Sequence, residues 1–147
     1  MDKKTIIGNR RSRERLTSLV KNISAKELKM PLYPEGWTVA VALGHIAFWD
    51  SRRLELIKAW KKSGVQSFPM SSEIVNNTLV PILLLIPPKK IAALAVSIAE
   101  ELDKEIESLS SEFVKEAEKL GENNPFDRAN HRNMHLDDIE KALQNRK

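Results

Sequence analysis

Three histidines are the residues of this sequence whose type and spacing point most directly to chemistry. His131 and His135 are four residues apart, which places both imidazoles on one face of a helix. Ile139 continues that face, so we expect the pair to point toward the protein interior. His45 lies in a separate apolar segment that predicts another helix. The three residues therefore predict a metal site between two helices.

The absence of cysteine restricts the kind of site that these histidines can form. It excludes thiolate ligands and a cysteine nucleophile, so a metal must be held by histidine, carboxylate or water. Neutral imidazoles suit divalent ions such as zinc, nickel and iron, and three protein ligands leave a coordination position open, as in catalytic sites. The alternative is that two ordinary helical histidines share a face by chance. Spacing alone does not separate these interpretations.

Two side chains near the histidines have both a functional and a structural interpretation. Asp138, three residues after His135, could orient a ligand imidazole or take a proton. The interpretation that we favour makes it half of a solvated pair with Asp137. Trp49, one turn after His45, is either part of the wall of a substrate cavity or plain core, and the sequence leaves both open.

Arginines near the predicted site also have two interpretations. Arg52 and Arg53 follow the apolar segment that holds His45, and a guanidinium binds a carboxylate through two hydrogen bonds. They could therefore bind an acidic substrate or a low-molecular-weight thiol. Charged positions beyond an apolar run are usually solvated, which is the interpretation that we favour for them and for Arg128 and Arg132.

Helical periodicity predicts the elements that position the histidines. The helix that carries His45 is predicted to begin after an N-cap at Thr38 and to stop at residues 61–64. The helix that carries His131 and His135 follows a loop at 121–125 and extends to about residue 144, with Asp127 as the expected cap. Further helices are predicted at about 5–22, 71–86 and 88–109, with a capped turn at 24–27 and a loop at 30–36.

Length and patterning together predict the fold class. A chain of 147 residues, 41% of them hydrophobic, fits one globular domain over residues 1–147. No run of alternating apolar and polar residues predicts a strand, so we expect an all-α fold with four main helices, arranged as a four-helix bundle. The most apolar stretch, 79–86, contains Pro81 and is too short to cross a membrane. We therefore expect it to be buried core.

The charge balance argues against a polyanionic partner. The chain has 24 basic and 20 acidic residues, a mixed-sign surface with a net charge of +4. The arginines near the N-terminus are interrupted by Glu14 and are not interleaved with aromatic residues, so we expect a solvated helix face rather than a nucleic-acid-binding surface. The first residues lack the apolar segment of a secretory signal, from which we expect a cytoplasmic protein without a membrane partner.

Two segments carry a resemblance to a known family. Residues 36–50, GWTVAVALGHIAFWD, resemble the signature of the DinB-like superfamily, in which a Trp-Ser/Thr-Val sequence leads to an Ala-His-Leu or similar triplet. The mycothiol-dependent maleylpyruvate isomerase N-terminal branch is especially similar. Residues 130–139, NHRNMHLDDI, resemble the terminal helix of the family with its His-x-x-x-His pair. Val75-Asn76-Asn77, Pro81 and Pro87-Pro88 resemble its middle part.

The resemblance covers nearly the whole chain and implies a four-helix bundle, often dimeric. It also implies a divalent metal at one end of the core, held here by His45, His131 and His135. Activities in the family include hydrolytic detoxification and transfers or isomerisations that use mycothiol or bacillithiol. Because the similarity is to the N-terminal domain of the isomerase, the isomerase reaction itself is not implied.

Three hypotheses of function follow from these observations. One of them, a nucleic-acid-associated stress protein, is motivated only by the basic charge balance and by the DNA-damage origin of the family's name. The leading hypothesis is a metal-dependent enzyme of small-molecule detoxification or thiol transfer, either an S-transferase or a hydrolase, in which the histidines hold an ion that activates water or a low-molecular-weight thiol. The alternative is a helical bundle that binds a metal or a small molecule without catalysis, because the sequence shows no convincing acid or base beside the histidines. Apolar faces in residues 79–86 are compatible with a homodimer.

Overall fold

The computed structural model describes residues 2–67, 71–121 and 124–145, so residues 122 and 123 of the predicted loop at 121–125 lie outside the described residues. The described chain is mostly helical, which confirms the predicted all-α class. Its elements in chain order are α1 (Lys3–Asn22), α2 (Ala25–Leu28), β1 (Pro31–Tyr33), β2 (Trp37–Thr38), α3 (Val39–Ser63), α4 (Ser72–Leu84), α5 (Pro88–Glu107), α6 (Ser111–Glu118) and α7 (Ala129–Gln144).

The predicted capping residues form several of the helix ends. Thr38 accepts a hydrogen bond from the backbone N–H of Val41 at 3.2 Å, which satisfies one of the unpaired donors at the start of α3. Gly64 ends α3 with a φ of 84°, a conformation that suits glycine. Ser24 and Glu27 form the predicted capping box around the first turn of α2. These caps confirm the predicted boundaries on both sides of the His45 helix.

The loop predicted at 30–36 contains two short strands, so the prediction that the chain has no strand is wrong. β1 and β2 pair antiparallel, with Tyr33 opposite Trp37. Glu35 and Gly36 have φ values of 65° and 82° and close the turn between them. Strands of three and two residues are too short to show the alternation by which strands are recognised. The hairpin brings the rings of Tyr33 and Trp37 to 5.6 Å from each other.

Helix α6 is a second element that the sequence did not predict. It has only eight residues, and within it only Val114 and Ala117 are buried. Its apolar face is therefore too short to give a periodic signal, although Ser110 accepts a hydrogen bond from the Phe113 N–H at 3.2 Å as an ordinary N-cap.

The prediction that residues 79–86 are buried core is only partly right. Val80 and Leu83 are buried, whereas Ile82 and Leu84 are about half exposed and Leu85 is 86% exposed. The reason is that α4 contacts α3 through one face, and the end of the segment lies beyond the helix. Among the described helices, none is both long and apolar enough to cross a membrane.

The four long helices pack so that each contacts two others in a closed order: α3 with α5, α5 with α1, α1 with α7, and α7 with α3. The core between them includes Leu16 of α1, Leu43 of α3, Ala95 of α5 and Ile139 of α7, all fully buried. Helix α4 packs closely on α3 at Gly44, where a Cβ atom would lie 2.8 Å from the methyl carbons of Leu83. The contact between α3 and α7 places the two helices that carry the histidines beside each other.

The start of α7 is held by a side chain from another helix. We predicted Asp127 as its cap, but the N-cap position is Arg128, which makes no side-chain capping bond. Instead, Asn9 of α1 accepts hydrogen bonds from the backbone N–H groups of Arg128 at 2.9 Å and Ala129 at 3.1 Å. Its amide also donates to the Phe126 carbonyl at 2.8 Å. Asp127 accepts a hydrogen bond from the backbone N–H of Asn130 at 3.3 Å, further along the first turn of the helix.

We expect Asn9→Ala to lower the free energy of unfolding by about 2 kcal/mol, because it leaves buried backbone donors and a carbonyl without partners. Urea unfolding followed by circular dichroism measures this change. Asn22→Ala is the matched control, since Asn22 is exposed and donates to the Ser18 carbonyl of its own helix, and we expect it to change stability by less than about 0.5 kcal/mol. Equal stability of the two variants would contradict the capping role of Asn9.

Candidate metal centre

The three predicted histidines come together between α3 and α7. His45 on α3 and His131 on α7 face each other with their Nε2 atoms 3.1 Å apart. The ligand atoms of all three histidines lie within 4.8 Å of one another. His45 and His135 are each 6% exposed, and His131 is half-buried. The structure therefore places every histidine of the chain in one cluster.

His135 is oriented by a chain of two hydrogen bonds. The Tyr33 hydroxyl donates to the Asp138 carboxylate at 2.6 Å and lies 3.1 Å from His135 Nδ1. Because the hydroxyl proton points to Asp138, its oxygen accepts from the Nδ1–H of His135. Burial and the neighbouring carboxylate raise the pKa of Tyr33, so this hydroxyl keeps its proton at neutral pH. His135 Nε2 is left as a buried lone pair without a hydrogen-bond partner among the described residues.

The histidines are held neutral. Burial, and then repulsion by His135, lower the pKa of His45 to about 4. Burial and the charge of Arg128 lower the pKa of His131 to about 2. Burial also lowers the pKa of His135, although Asp138 opposes the shift. Neutral imidazole is the form that binds a metal, so all three rings have the required charge state at neutral pH.

The donor set and its spacing fit a divalent ion. Two nitrogens bound to one ion at about 2.0–2.1 Å lie roughly 2.8–3.4 Å apart for angles between about 90° and 109°. The 3.1 Å between His45 and His131 falls in this range. With the farthest ligand atoms at 4.8 Å, closing all three on one ion takes a ring shift of about 1.5 Å. The three histidines are thus close enough to hold a metal ion.

The histidines line an open cleft of about 510 Å³. Its walls are largely aromatic, with the Trp37 ring centre 5.2 Å and the Trp49 ring centre 6.1 Å from that of His45. The Trp49 indole N–H is buried and makes no hydrogen bond to the described part of the chain. The remaining residues that line the cleft are Tyr33, Ser72, Asn76, Arg128 and Met134. A small molecule in this cleft would contact the histidine cluster directly.

A buried ionic network lies beside the histidines. Asp50, five residues after His45, is fully buried and accepts hydrogen bonds from Arg128 Nε at 2.8 Å and Arg132 Nε at 2.7 Å. Arg132, also fully buried, donates to Asp103 of α5 at 3.1 Å. The network joins α3, α5 and α7 immediately behind the site. The expectation that Arg128 and Arg132 are solvated is therefore wrong, because these buried carboxylates neutralise them.

The other predicted candidates occupy different surroundings. Asp138 is half-buried and is linked to His135 by hydrogen bonds through Tyr33, whereas Asp137 is exposed and pairs with Arg15 at 2.7 Å. The two carboxylates therefore do not form one solvated pair. Trp49 lines the cleft.

Arg52 and Arg53 are half-buried, and neither belongs to the set of residues that lines the cleft. Arg52 lies over the Trp49 ring, with its Cζ atom 5.8 Å from the ring centre. The Arg52 guanidinium therefore packs against the Trp49 ring without lining the cleft.

Sequence reasoning missed Tyr33 and Asp50. Tyr33 lies in a segment predicted as a loop, and it is 102 positions from His135, so no local pattern relates them. Asp50 had a usable signal: it follows an apolar stretch, residues 39–49, that contains no Asp, Glu, Lys or Arg, and a charge at the end of such a stretch within a helix requires a buried partner. Comparison with models of protein families, with curated proteins and with solved structures found no match in any of the three.

Proposed function

We propose that this protein is a divalent-metal-dependent enzyme of small-molecule detoxification or thiol transfer. The observation that carries the proposal is the convergence of three neutral imidazoles on an open, aromatic-walled cleft, with His135 Nε2 buried and unpaired. A buried lone pair without a partner is costly unless it binds something. Zinc, nickel and iron fit the three-imidazole donor set, and the exposed side of the cleft provides access for a substrate.

The residues of the chain have separate tasks in this proposal. His45, His131 and His135 hold the ion, and the Tyr33–Asp138 pair keeps the Nδ1 proton on His135 so that its Nε2 faces the site. A divalent ion bound here supplies Lewis acidity that makes water or a low-molecular-weight thiol nucleophilic near neutral pH. The aromatic walls hold the apolar part of a substrate and exclude water.

The same proposal includes a fold assignment. The closed order of contacts among α1, α3, α5 and α7 supports a four-helix bundle. His45 on α3 and the His131–His135 pair on α7 have the order that the DinB-like resemblance implies. In such a bundle the metal would lie between two neighbouring helices of the four.

A second candidate function is a bundle that binds a metal or a small molecule without catalysis. One observation favours it: among the described residues that line the cleft there is no carboxylate. Asp138 reaches the site only through Tyr33, so a general base other than the cluster itself is lacking there. Supplying metal-loaded protein with thiols, electrophiles and esters separates the two functions, since only the enzyme forms product, whereas a binding protein is merely stabilised by its ligand.

Metal content tests the proposed site directly. Tag-free protein reconstituted with zinc, nickel, iron or manganese should hold about one ion per chain, and His45→Ala and His131→Ala should hold little, because two imidazoles bind far more weakly than three. Elemental analysis after removal of free metal gives the stoichiometry. Lys141→Ala is the control, since Lys141 is exposed on the same helix as His131, and it should keep the ion. Equally low metal content in the parent and both histidine variants would overturn the proposal.

A further inference from the structure

Arg128 makes a contact to His131 that bears on the proposed metal site. Its Nη2 atom lies 3.2 Å from His131 Nδ1. A guanidinium has only donors, so the ring nitrogen that faces it must accept the hydrogen bond. His131 Nδ1 therefore carries no proton in this arrangement, and its lone pair points to Arg128.

The proton of neutral His131 must then lie on Nε2, which is 3.1 Å from His45 Nε2. This N–H donates to the lone pair of His45. One contact from Arg128 thus removes two ligand positions, because His131 Nε2 is protonated and His45 Nε2 already accepts a hydrogen bond. Both atoms are the ones that the proposed site needs.

His135 is arranged in the opposite way. The Tyr33 hydroxyl donates to Asp138 and accepts from His135 Nδ1–H, so His135 Nε2 keeps its lone pair. A metal-binding histidine is usually fixed by an acceptor at its second nitrogen, as here. His131 has a cationic donor in that place, which is the reverse of what a ligand requires.

We propose, on the basis of the metal-dependent function proposed above, that Arg128 is a positioning residue. It holds His131 in the tautomer that cannot ligate a metal, and it thereby lowers the metal affinity of the cluster. When His131 binds an ion, its Nε2 atom loses a proton to solvent and its Nδ1 atom gains one. The guanidinium must then withdraw, because two donors would face each other. Repulsion between the guanidinium and a divalent ion acts in the same direction.

The surroundings of Arg128 allow this movement. Its Nε atom is anchored to Asp50 at 2.8 Å, so the side chain stays neutralised while its Nη2 end leaves His131. Arg128 also lines the cleft, which gives the released end of the guanidinium space to occupy. Asp50 keeps its second partner, Arg132, at 2.7 Å when Arg128 is replaced.

The tautomer can be measured without any metal. Long-range nitrogen–proton NMR spectra of the labelled histidine rings distinguish Nδ1–H from Nε2–H, and His131→Ala assigns the His131 signals. We expect the Nε2–H form of His131 in the parent and in Arg10→Gln, a control whose arginine pairs with Glu107 instead. Arg128→Gln should increase the Nδ1–H form, because an amide oxygen can accept that proton. His131 in the Nδ1–H form in the parent would overturn the proposal.

Metal affinity provides the second readout. In competition with a chromophoric chelator, we expect Arg128→Gln to bind Zn²⁺ about tenfold more tightly than the parent, the lower end of the effect that partners of ligand histidines usually have. Arg10→Gln should match the parent. Equal or weaker Zn²⁺ binding by Arg128→Gln, with measurable binding by the parent, overturns the role of Arg128 and leaves the proposed function standing. No Zn²⁺ binding by any of the three proteins overturns the proposed function, and the role of Arg128 with it.

Discussion

Replacing Asp50 with alanine is expected to lower the free energy of unfolding by about 3–5 kcal/mol. Asp50 is fully buried and accepts hydrogen bonds from Arg128 at 2.8 Å and Arg132 at 2.7 Å. Without its carboxylate, Arg132 keeps only Asp103 as an acidic partner among the described residues, and Arg128 keeps none. An uncompensated buried charge is among the largest single losses of stability, and a domain of this size has only about 5–15 kcal/mol in total.

Urea unfolding at neutral pH, followed by circular dichroism, measures the effect. Asp50→Asn keeps the shape and part of the hydrogen bonding but removes the charge, so we expect it to lie between Asp50→Ala and the parent. Glu101→Ala is the matched control, because Glu101 forms an exposed ion pair with Lys58 at 3.2 Å and such pairs add little to stability. An Asp50→Ala protein as stable as the Glu101→Ala control would show that the buried network contributes no net stability.

Local signals were sufficient for most of the fold. Thr38 and Gly64 mark the ends of α3 in the sequence as well as in the structure. A side-chain N-cap and a glycine with positive φ end a helix through contacts with residues nearby in the chain, so their effect does not depend on the tertiary structure. The hairpin and α6 were missed because three, two and eight residues are too few for a periodic pattern. Leu85 was wrongly expected in the core, since hydropathy does not show where a helix ends, and α4 stops at Leu84.

The candidate site, like the fold, was predicted from sequence only where the information is local. His131 and His135 could be paired from sequence because their i, i+4 spacing is a local property of one helix. Tyr33 could not be assigned to the site from sequence, because its contact with His135 depends on how the hairpin packs on α7. Arg132, between the two histidines, was expected in solvent because charge usually indicates exposure. Its burial follows from Asp50 and Asp103, which lie on two other helices.

Acid is expected to destabilise the metal-free protein strongly between about pH 6.5 and 4. The pKa of His45 falls to about 4 and that of His131 to about 2 in the folded chain, against about 6.5 for an unfolded histidine. Below pH 6.5 the unfolded chain therefore binds protons that the folded chain does not, so the free energy of unfolding falls as pH falls. The contribution of His45 alone is roughly 2–3 kcal/mol over this interval.

Urea unfolding at a series of pH values, in the presence of a chelator, tests this expectation. The variant His131→Gln removes one buried imidazole that resists protonation, so its stability should depend less steeply on pH than that of the parent between about pH 6.5 and 5. Both proteins keep the same carboxylates, including Asp103, whose pKa is raised by burial, so the carboxylates affect both slopes alike. The difference in slope between the two proteins therefore reports histidine alone. Identical slopes would mean that His131 takes up its proton at the same pH in the folded and the unfolded chain, and so that burial does not lower its pKa.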